Sequence, residues 1–462
     1  MQSDGQAMTS PSVRSTDRAA SGRGVPGEEI VGRGSREAAR LMRTWFSSLN
    51  EAAEQNRKAA YVFTMGNMNE VLRTFDLPIV YPEITSLQTA VRGSAEESLK
   101  EAEDYGFSPD ICGYVKIDIA TQLGGGKHPM GLIPKPSMAV ATNACNTYFK
   151  WAEVWDRLFD ASVVTIDVPN DRAASSRSLP GDDNFKFELA YVKSQVKELI
   201  ETCERVSGQK FDIDRFRQNL HYANQMSLYW KMLLALNERT PAVFGALTDG
   251  TTFLGMANCF RATEEGANYI KDLYEEMEYR SNHGIGAMTR KDGENVPIEQ
   301  RFRLGFLGVP CYPIFREFND LFYDWGGVFV TSSYLKFASG GAALGFEFDL
   351  DNPIDSFAEG SLLTIRETQT GLLFDFPDIE DKMSPYRLDG IVYHGVKSCR
   401  TVSAGLADRR LHKSDSLELP SLMLESDIVD PRVVSKAQMK NRTDAFFEGL
   451  IARRQQNQTA GY

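Results

Sequence analysis

Apolar residues recur at helical spacing near the start of the chain. Leu41, Met42, Trp45, Phe46 and Leu49 form one stripe and predict a helix over 36–58. The acidic stretch Ala95–Gly106 predicts a shorter helix ending at its glycine. The run Met138-Ala-Val-Ala-Thr142 predicts a strand, followed by Asn143-Ala-Cys145 and a helix carrying Trp151 and Trp155. A β-branched run, Val163 to Val168, predicts another strand that stops at Pro169. This order of strand, turn, helix and strand marks a βαβ unit of a parallel sheet.

From about 186 to 282 the pattern is helical, with Leu189, Val192, Val196, Leu199, Ile200 and Cys203 on one stripe and further amphipathic stretches at 212–236 and 264–280. The α/β rhythm then returns. Strands are expected at 303–309, 327–331, 389–393 and 420–424, and helices at 312–323 and 436–453. The acidic stretch 345–381 reads as loop-rich.

The fold class expected is α/β: two Rossmann-like lobes with parallel sheets, joined by a helical segment, after an N-terminal helical region. The expected divisions are a disordered tail (1–30), an N-terminal helical region (31–110), a first α/β lobe (111–185), a helical connection (186–295) and a second α/β lobe (296–462). The length of 462 residues suits two or three domains at roughly 100–200 residues each. No internal repeat with a period of about 20–50 residues is visible.

Lys plus Arg number 51 against 63 for Asp plus Glu, a net charge of −12. That balance disfavours a general nucleic-acid or anionic-membrane binder but leaves room for local cationic pockets. The tail, rich in Ser, Gly and Arg, has no apolar segment of the secretory kind, and no run approaches the roughly 18 apolar residues of a membrane span. Six scattered cysteines do not make a disulfide framework, so reduced thiols and a cytoplasmic setting are expected.

Two glycine-rich stretches fail the phosphate-loop test. Gly124-Gly-Gly-Lys127 is followed by His128 where Ser or Thr is needed, and Ser339–Gly345 lacks dinucleotide spacing. The five histidines show no i, i+4 pair, and there is no G-x-S-x-G elbow. The cysteines are more informative. Cys203 and Cys259 sit among apolar residues and read as core. Cys145 and Cys399 each fall just past a strand and at the start of a helix, where open α/β sheets present ligands. A helix N-terminus there favours thiolate. Cys112 lies in a polar turn leading into a helix, and Cys311, after a strand, is ambiguous. The residues alone leave a three-cysteine metal site open, since compact C-x2-C spacing is absent.

Several blocks carry a resemblance. Cys112-Gly-Tyr-Val-Lys116, Asn143-Ala-Cys145 before an aromatic helix, and Lys397-Ser-Cys-Arg400 with Ser403-Ala-Gly405 are joined by Asp427-Ile-Val-Asp-Pro-Arg432 and Phe446-Phe447-Glu448. Gly66-Asn-Met-Asn-Glu70 and Pro82-Glu83-Ile84 stand near the start. Together, over roughly 60–453, they resemble the benzoyl-CoA reductase and 2-hydroxyacyl-CoA dehydratase superfamily. The Tyr-Val-Lys and Ser-Ala-Gly details look most like the B-type subunits of ATP-dependent (class I) benzoyl-CoA reductases.

The resemblance implies a 4Fe–4S cluster held by Cys112, Cys145 and Cys399, with one iron open or bound by a non-cysteine ligand. It implies a related partner subunit, a separate ATPase carrying its own cluster, and reduced ferredoxin as donor. The substrate implied is an aromatic acyl-CoA, dearomatised by low-potential electron transfer to a cyclohexadiene-carboxyl-CoA. The alternatives are a 2-hydroxyacyl-CoA dehydratase subunit, which eliminates water by radical chemistry, and a non-catalytic partner subunit. Glu83 and His394 are the candidate acids, with Glu70 behind them; His394 is expected in the loop of Cys399. Cys311 matches no ligand position and reads as structural.

Overall fold

The structure is a computed structural model that describes residues 30–170, 177–291, 294–339, 345–373 and 384–459, without the side chains of 370–373 and 412–417. The expected tail and most of the second glycine-rich stretch lie outside these residues.

Twelve strands can be placed among the described residues. The first half contains β1 (Ala59–Val62), β2 (Ile79–Val80), the small hairpin β3 (Lys127–His128) and β4 (Gly131–Leu132), β5 (Pro136–Thr142) and β6 (Ser162–Ile166). The second hairpin is β7 (Met288–Lys291) and β8 (Glu294–Pro297). The last part holds β9 (Phe302–Gly308), β10 (Gly327–Ser332), β11 (Gly390–Val396) and β12 (Ser421–Ser426).

Two four-stranded parallel sheets result, in the orders β2-β1-β5-β6 and β10-β9-β11-β12. Counted within each sheet, both orders are 2-1-3-4. Each sheet therefore reverses direction of winding between its first and third strands, and a crevice opens there beyond the carboxyl ends. Strands β9, β10 and β11 are buried along their whole length, as parallel strands covered by helices on both faces must be.

Helices Asp183–Ser207, Ile213–Leu236, Asp249–Cys259 and Glu264–Asn282 fill the stretch between the sheets. Asp212 caps the second through its carboxylate, which accepts from the backbone N–H of Asp214 and Arg215, and Thr263 caps the fourth. Helix Arg33–Glu54 packs on the third and fourth. Its start is tied down by Glu276, whose carboxylate accepts from the N–H of Gly32 and Gly34, each at 2.6 Å.

Two expectations need correction. The segment 31–110 is not purely helical, because β1 and β2 belong to the first sheet. All four residues of β1 are buried, so the strand shows no alternation and reads as an undivided apolar run. The stretch 345–381 is not simply loop, because Pro353–Leu373 is a helix. Its acidic and hydroxyl residues mask an apolar stripe of Phe357, Ala358, Leu362 and Ile365, all buried in the core.

Candidate functional site

Cys112, Cys145 and Cys399 are separated widely in sequence yet line one cavity. Each stands at the N-cap of a helix: Gly113–Leu123, Asn146–Phe159 and Arg400–Ser403. Cys145 follows β5 and Cys399 follows β11, the third strand of each sheet. The cavity thus lies where the two winding-reversal crevices face one another. The helix Gly113–Leu123 brings Cys112 to the same place.

Close contacts hold the three loops together. The Gly113 N–H donates to Ser398 Oγ at 3.3 Å, and Cys145 Sγ lies 3.5 Å from Thr401 Oγ1. A Cβ on Gly113 would stand 2.4 Å from Val429, so only glycine lets these segments approach. Asp427 organises the seam: its carboxylate accepts from the N–H of Ser398, Val429 and Asp430. Lys116 is buried and bonds Glu103 at 2.8 Å and the Pro109 carbonyl at 2.9 Å, while Arg432 pairs with the same Glu103. The basic and acidic residues of the sequence blocks therefore act as braces for the cysteine loops.

The walls are mainly apolar, with Met65, Trp151, Val309, Phe337 and Ile428 prominent, around a cavity of about 60 Å³. Burial raises all three thiols, Cys399 to about 12 and Cys112 well above the ordinary thiol value, where Cys399 and Cys145 add to the rise. Backbone N–H groups at the helix starts oppose this shift at each cysteine. Three thiolates in such a cavity need a positive centre beside them, and an iron–sulfur cluster is a group that meets this need. Among the described residues no three His, Cys, Asp or Glu side chains are placed to hold a single metal ion. A polynuclear cluster takes each ligand on a different iron, and so accepts thiols from three separate loops. The donor set fits such a cluster.

Glu83 is the buried acid of this cavity. Its Oε1 accepts from the Tyr148 hydroxyl at 2.8 Å and its Oε2 from the Thr64 N–H at 2.6 Å. Burial raises its pKa despite both bonds, which favours the protonated carboxyl. Tyr148 is held flat against Phe63, with ring centroids 3.7 Å apart. Tyr114 and Tyr334 also line the cavity. A wider groove of about 700 Å³ shares Cys112, Thr147, Trp151 and Thr401 with the cavity and carries Lys150, Arg157 and Arg400 on its walls.

Not every candidate meets here. His394 lies within β11 rather than in the loop of Cys399, fully buried, with one ring nitrogen 2.6 Å from the Val309 carbonyl and the other 2.6 Å from Ser426 Oγ. Burial lowers its pKa, and the structure does not bring it to the cavity wall. Glu70 is in a buried ion pair with Arg261 at 2.7 Å, lining a separate small cavity. Cys311 is buried, with its sulfur 3.4 Å from Ser426 Oγ at the end of β12. The residues that sequence reasoning missed are Tyr114, Tyr148 and Tyr334. Tyr114 and Tyr148 each stand two or three residues past a cysteine, so their signal lay in that spacing.

The family profile described as 2-hydroxyglutaryl-CoA dehydratase, D-component, matches residues 68–450. The chain belongs to this family. It is similar to the B-type subunit of benzoyl-CoA reductase from Thauera aromatica, at 33% identity over 420 residues, covering 88% of this chain and 92% of that protein. It is also similar to the (R)-phenyllactyl-CoA dehydratase alpha subunit of Clostridium sporogenes, at 24% identity over 409 residues, with 88% and 92% covered. The (R)-2-hydroxyisocaproyl-CoA dehydratase alpha subunit of Clostridioides difficile is 24% identical over 426 residues, with 90% and 96% covered. Membership of the dehydratase D-component family agrees with the resemblance carried by the sequence blocks and supports an enzyme-related role as a subunit. No described helix is long and apolar enough to cross a membrane.

Proposed function

We propose that this chain is the iron–sulfur subunit of an ATP-dependent reductase that dearomatises benzoyl-CoA or a ring-substituted analogue. The observation that carries the reading is the convergence of three N-cap cysteines, from both sheets, on one apolar cavity that also holds the buried acid Glu83. The greater identity to a B-type reductase subunit than to the dehydratase alpha subunits favours reduction over dehydration. Cys112, Cys145 and Cys399 would hold a 4Fe–4S cluster, which supplies single electrons at low potential when bound. A related subunit, an ATPase with its own cluster and reduced ferredoxin complete the proposed assembly.

The chain's own residues do three things in this scheme. Met65, Trp151, Val309, Phe337 and Ile428 exclude water, which would otherwise protonate a reduced intermediate indiscriminately. Thr64 and Tyr148 fix the Glu83 carboxyl in one orientation. Glu83 keeps a proton at its carboxyl in the dry cavity and delivers it to the reduced ring.

The test is anaerobic purification with the natural partners, followed by iron and acid-labile sulfide analysis and assay with benzoyl-CoA, ATP and a strong reductant. ATP-dependent loss of the aromatic absorbance is expected. ATP-dependent dehydration of a 2-hydroxyacyl-CoA with benzoyl-CoA untouched would replace this reading with the dehydratase one. A preparation with full partners and no iron would point to a non-catalytic subunit.

A further inference from the structure

The block Gly66-Asn-Met-Asn-Glu70 takes no part in the cysteine cavity. It lines a second, smaller cavity of about 20 Å³, which shares no wall residue with the first. Four segments build it: the turn after β1, Ser227 on the helix Ile213–Leu236, Arg261 in the turn before the helix Glu264–Asn282, and the helix Pro353–Leu373. The turn after β1 is braced by Asn67, whose Nδ2 donates to Asn258 Oδ1 at 3.2 Å. Met68, two residues before Glu70, is left-handed at φ +54°, and Ala262, beside Arg261, is left-handed at φ +63°. A side chain in that region strains the backbone, and the surrounding packing has to hold it there. Such strain gathers at sites with a task.

Glu70 and Arg261 are 2% and 4% exposed and are joined by a single bond, from Nε to Oε1 at 2.7 Å. The terminal N–H groups of Arg261, the second oxygen of Glu70 and the hydroxyl of the buried Ser227 hold no hydrogen bond among the described residues. None of these atoms is sealed inside the protein, so what they meet is the cavity. A buried charged pair is stable only when its remaining donors and acceptors are met as well. The contents of the cavity must therefore present an acceptor beside a donor.

We infer that Glu70, Arg261 and Ser227 form a binding site for a small primary carboxamide. Its carbonyl oxygen accepts from Arg261 and Ser227, and its NH2 group donates to the free oxygen of Glu70. The ion pair is neutral as a whole, so a neutral guest leaves no uncompensated charge in the interior. A carboxylate would bring one, beside Glu70. Size agrees, because a cavity of about 20 Å³ has room for roughly two waters, the extent of an amide group with one methyl. Phe346, Phe348 and Phe357 close the opposite side and give the carbon end an apolar surface. The site does not depend on the acyl-CoA reading above.

The experiment is saturation-transfer NMR of acetamide, with acetate as the charged control, on the purified complex carrying the native chain, Arg261→Lys or Ser227→Ala. Arg261→Lys keeps a positive charge opposite Glu70 and removes the planar fork; Ser227→Ala removes one hydroxyl. Acetamide should bind the native complex saturably with a Kd on the order of 1 mM, as a ligand of four heavy atoms allows. Binding should weaken by about tenfold or more in Arg261→Lys and by about two- to tenfold in Ser227→Ala, with iron content unchanged in both. Acetate should neither bind there nor displace acetamide. Acetate binding as tightly as acetamide overturns the neutral guest. Acetamide binding that both variants leave intact places the amide elsewhere and overturns the site. Absence of saturable binding to the native complex means that the cavity holds water only, which also overturns it. Loss of iron in Arg261→Lys together with native binding in Ser227→Ala overturns it in favour of a structural ion pair.

Discussion

The two sheets share the strand order 2-1-3-4 and share little else. In the first, the third strand β5 is built from small and apolar residues and leads through Cys145 into a fourteen-residue helix anchored by Trp151 and Trp155. In the second, the third strand β11 carries the buried His394 and leads through Cys399 into a helix of only four residues. The first half contributes two thiols, Glu83, Tyr114 and Tyr148 to the cavity; the second contributes one thiol, Tyr334, Thr401 and apolar cover. Topology alone sets two crevices face to face, and the chemistry is added unequally from the loops.

The sharpest way to break this comparison is to remove cysteines that occupy matched and unmatched positions. Cys145→Ala and Cys399→Ala, at the ends of matched strands, and Cys112→Ala should each lower iron content and activity by more than about 100-fold, beyond the usual range for residues one step removed from a metal. Cys311→Ala, which removes a core sulfur outside the cavity, should leave iron and sulfide unchanged. Parallel loss in Cys311→Ala would undo the ligand assignment.

The unequal sharing of polar groups makes the next prediction. Glu83→Gln keeps the side-chain length and the oxygen that accepts from Tyr148, yet cannot supply the proton. Activity should drop by about 10²–10⁴-fold with the iron content unaltered. Near-native turnover with intact iron would move the proton donor elsewhere.

Asp118 distinguishes the halves by pH. Its carboxylate accepts from both Trp151 and Trp155 at 2.8 Å, two side chains of the helix that Cys145 caps. Burial raises its pKa to about 7, from 3.8 in an exposed chain. The folded state thus holds a proton that the unfolded state releases, so the stability contributed by Asp118 is full below about pH 4, falls as pH rises towards 7, and is gone above. The full loss is on the order of 4 kcal/mol. Denaturant unfolding from pH 5 to 8 should show this slope in the native chain and a flatter one in Asp118→Asn. Hydrogen exchange should place the loosening around β5 and not around β11.

The smallest expected effect is at the seam. Gly113→Ala puts a methyl 2.4 Å from Val429, and the overpacking should cost about 1–3 kcal/mol in thermal or denaturant unfolding. An unchanged midpoint would mean that the halves are free to move apart there.

Much of this architecture was legible in the sequence because β-branched runs ending in a turn residue are hard to read any other way. Residues Val163–Val168 and 327–331 are of that kind. The strand, cysteine, helix arrangement at Cys145 and Cys399 likewise pointed to a crevice from its order alone. Residues 59–62 and 79–80 were hidden because a strand buried on both faces, or only two residues long, has no period to detect. His394 was misplaced by its polarity: a histidine in an apolar run suggests a loop, whereas here Val309 and Ser426 satisfy both ring nitrogens inside the sheet. The tyrosine group was out of reach for another reason. Tyr114, Tyr312 and Tyr334 become neighbours only when two sheets are set opposite each other, and no spacing along the chain encodes that.

The placement of the third thiol has a consequence for how the molecule holds together. Cys112 and Cys145 belong to the first half and Cys399 to the second, and the bonds from Gly113 to Ser398 and from Cys145 to Thr401 cross between them. Anything that grips all three sulfurs acts as a rivet through the seam. By linkage, each kilocalorie gained on binding is also a kilocalorie opposing the separation of the halves. Damage to the rivet, by oxygen for instance, would then be felt first as a hinge working loose.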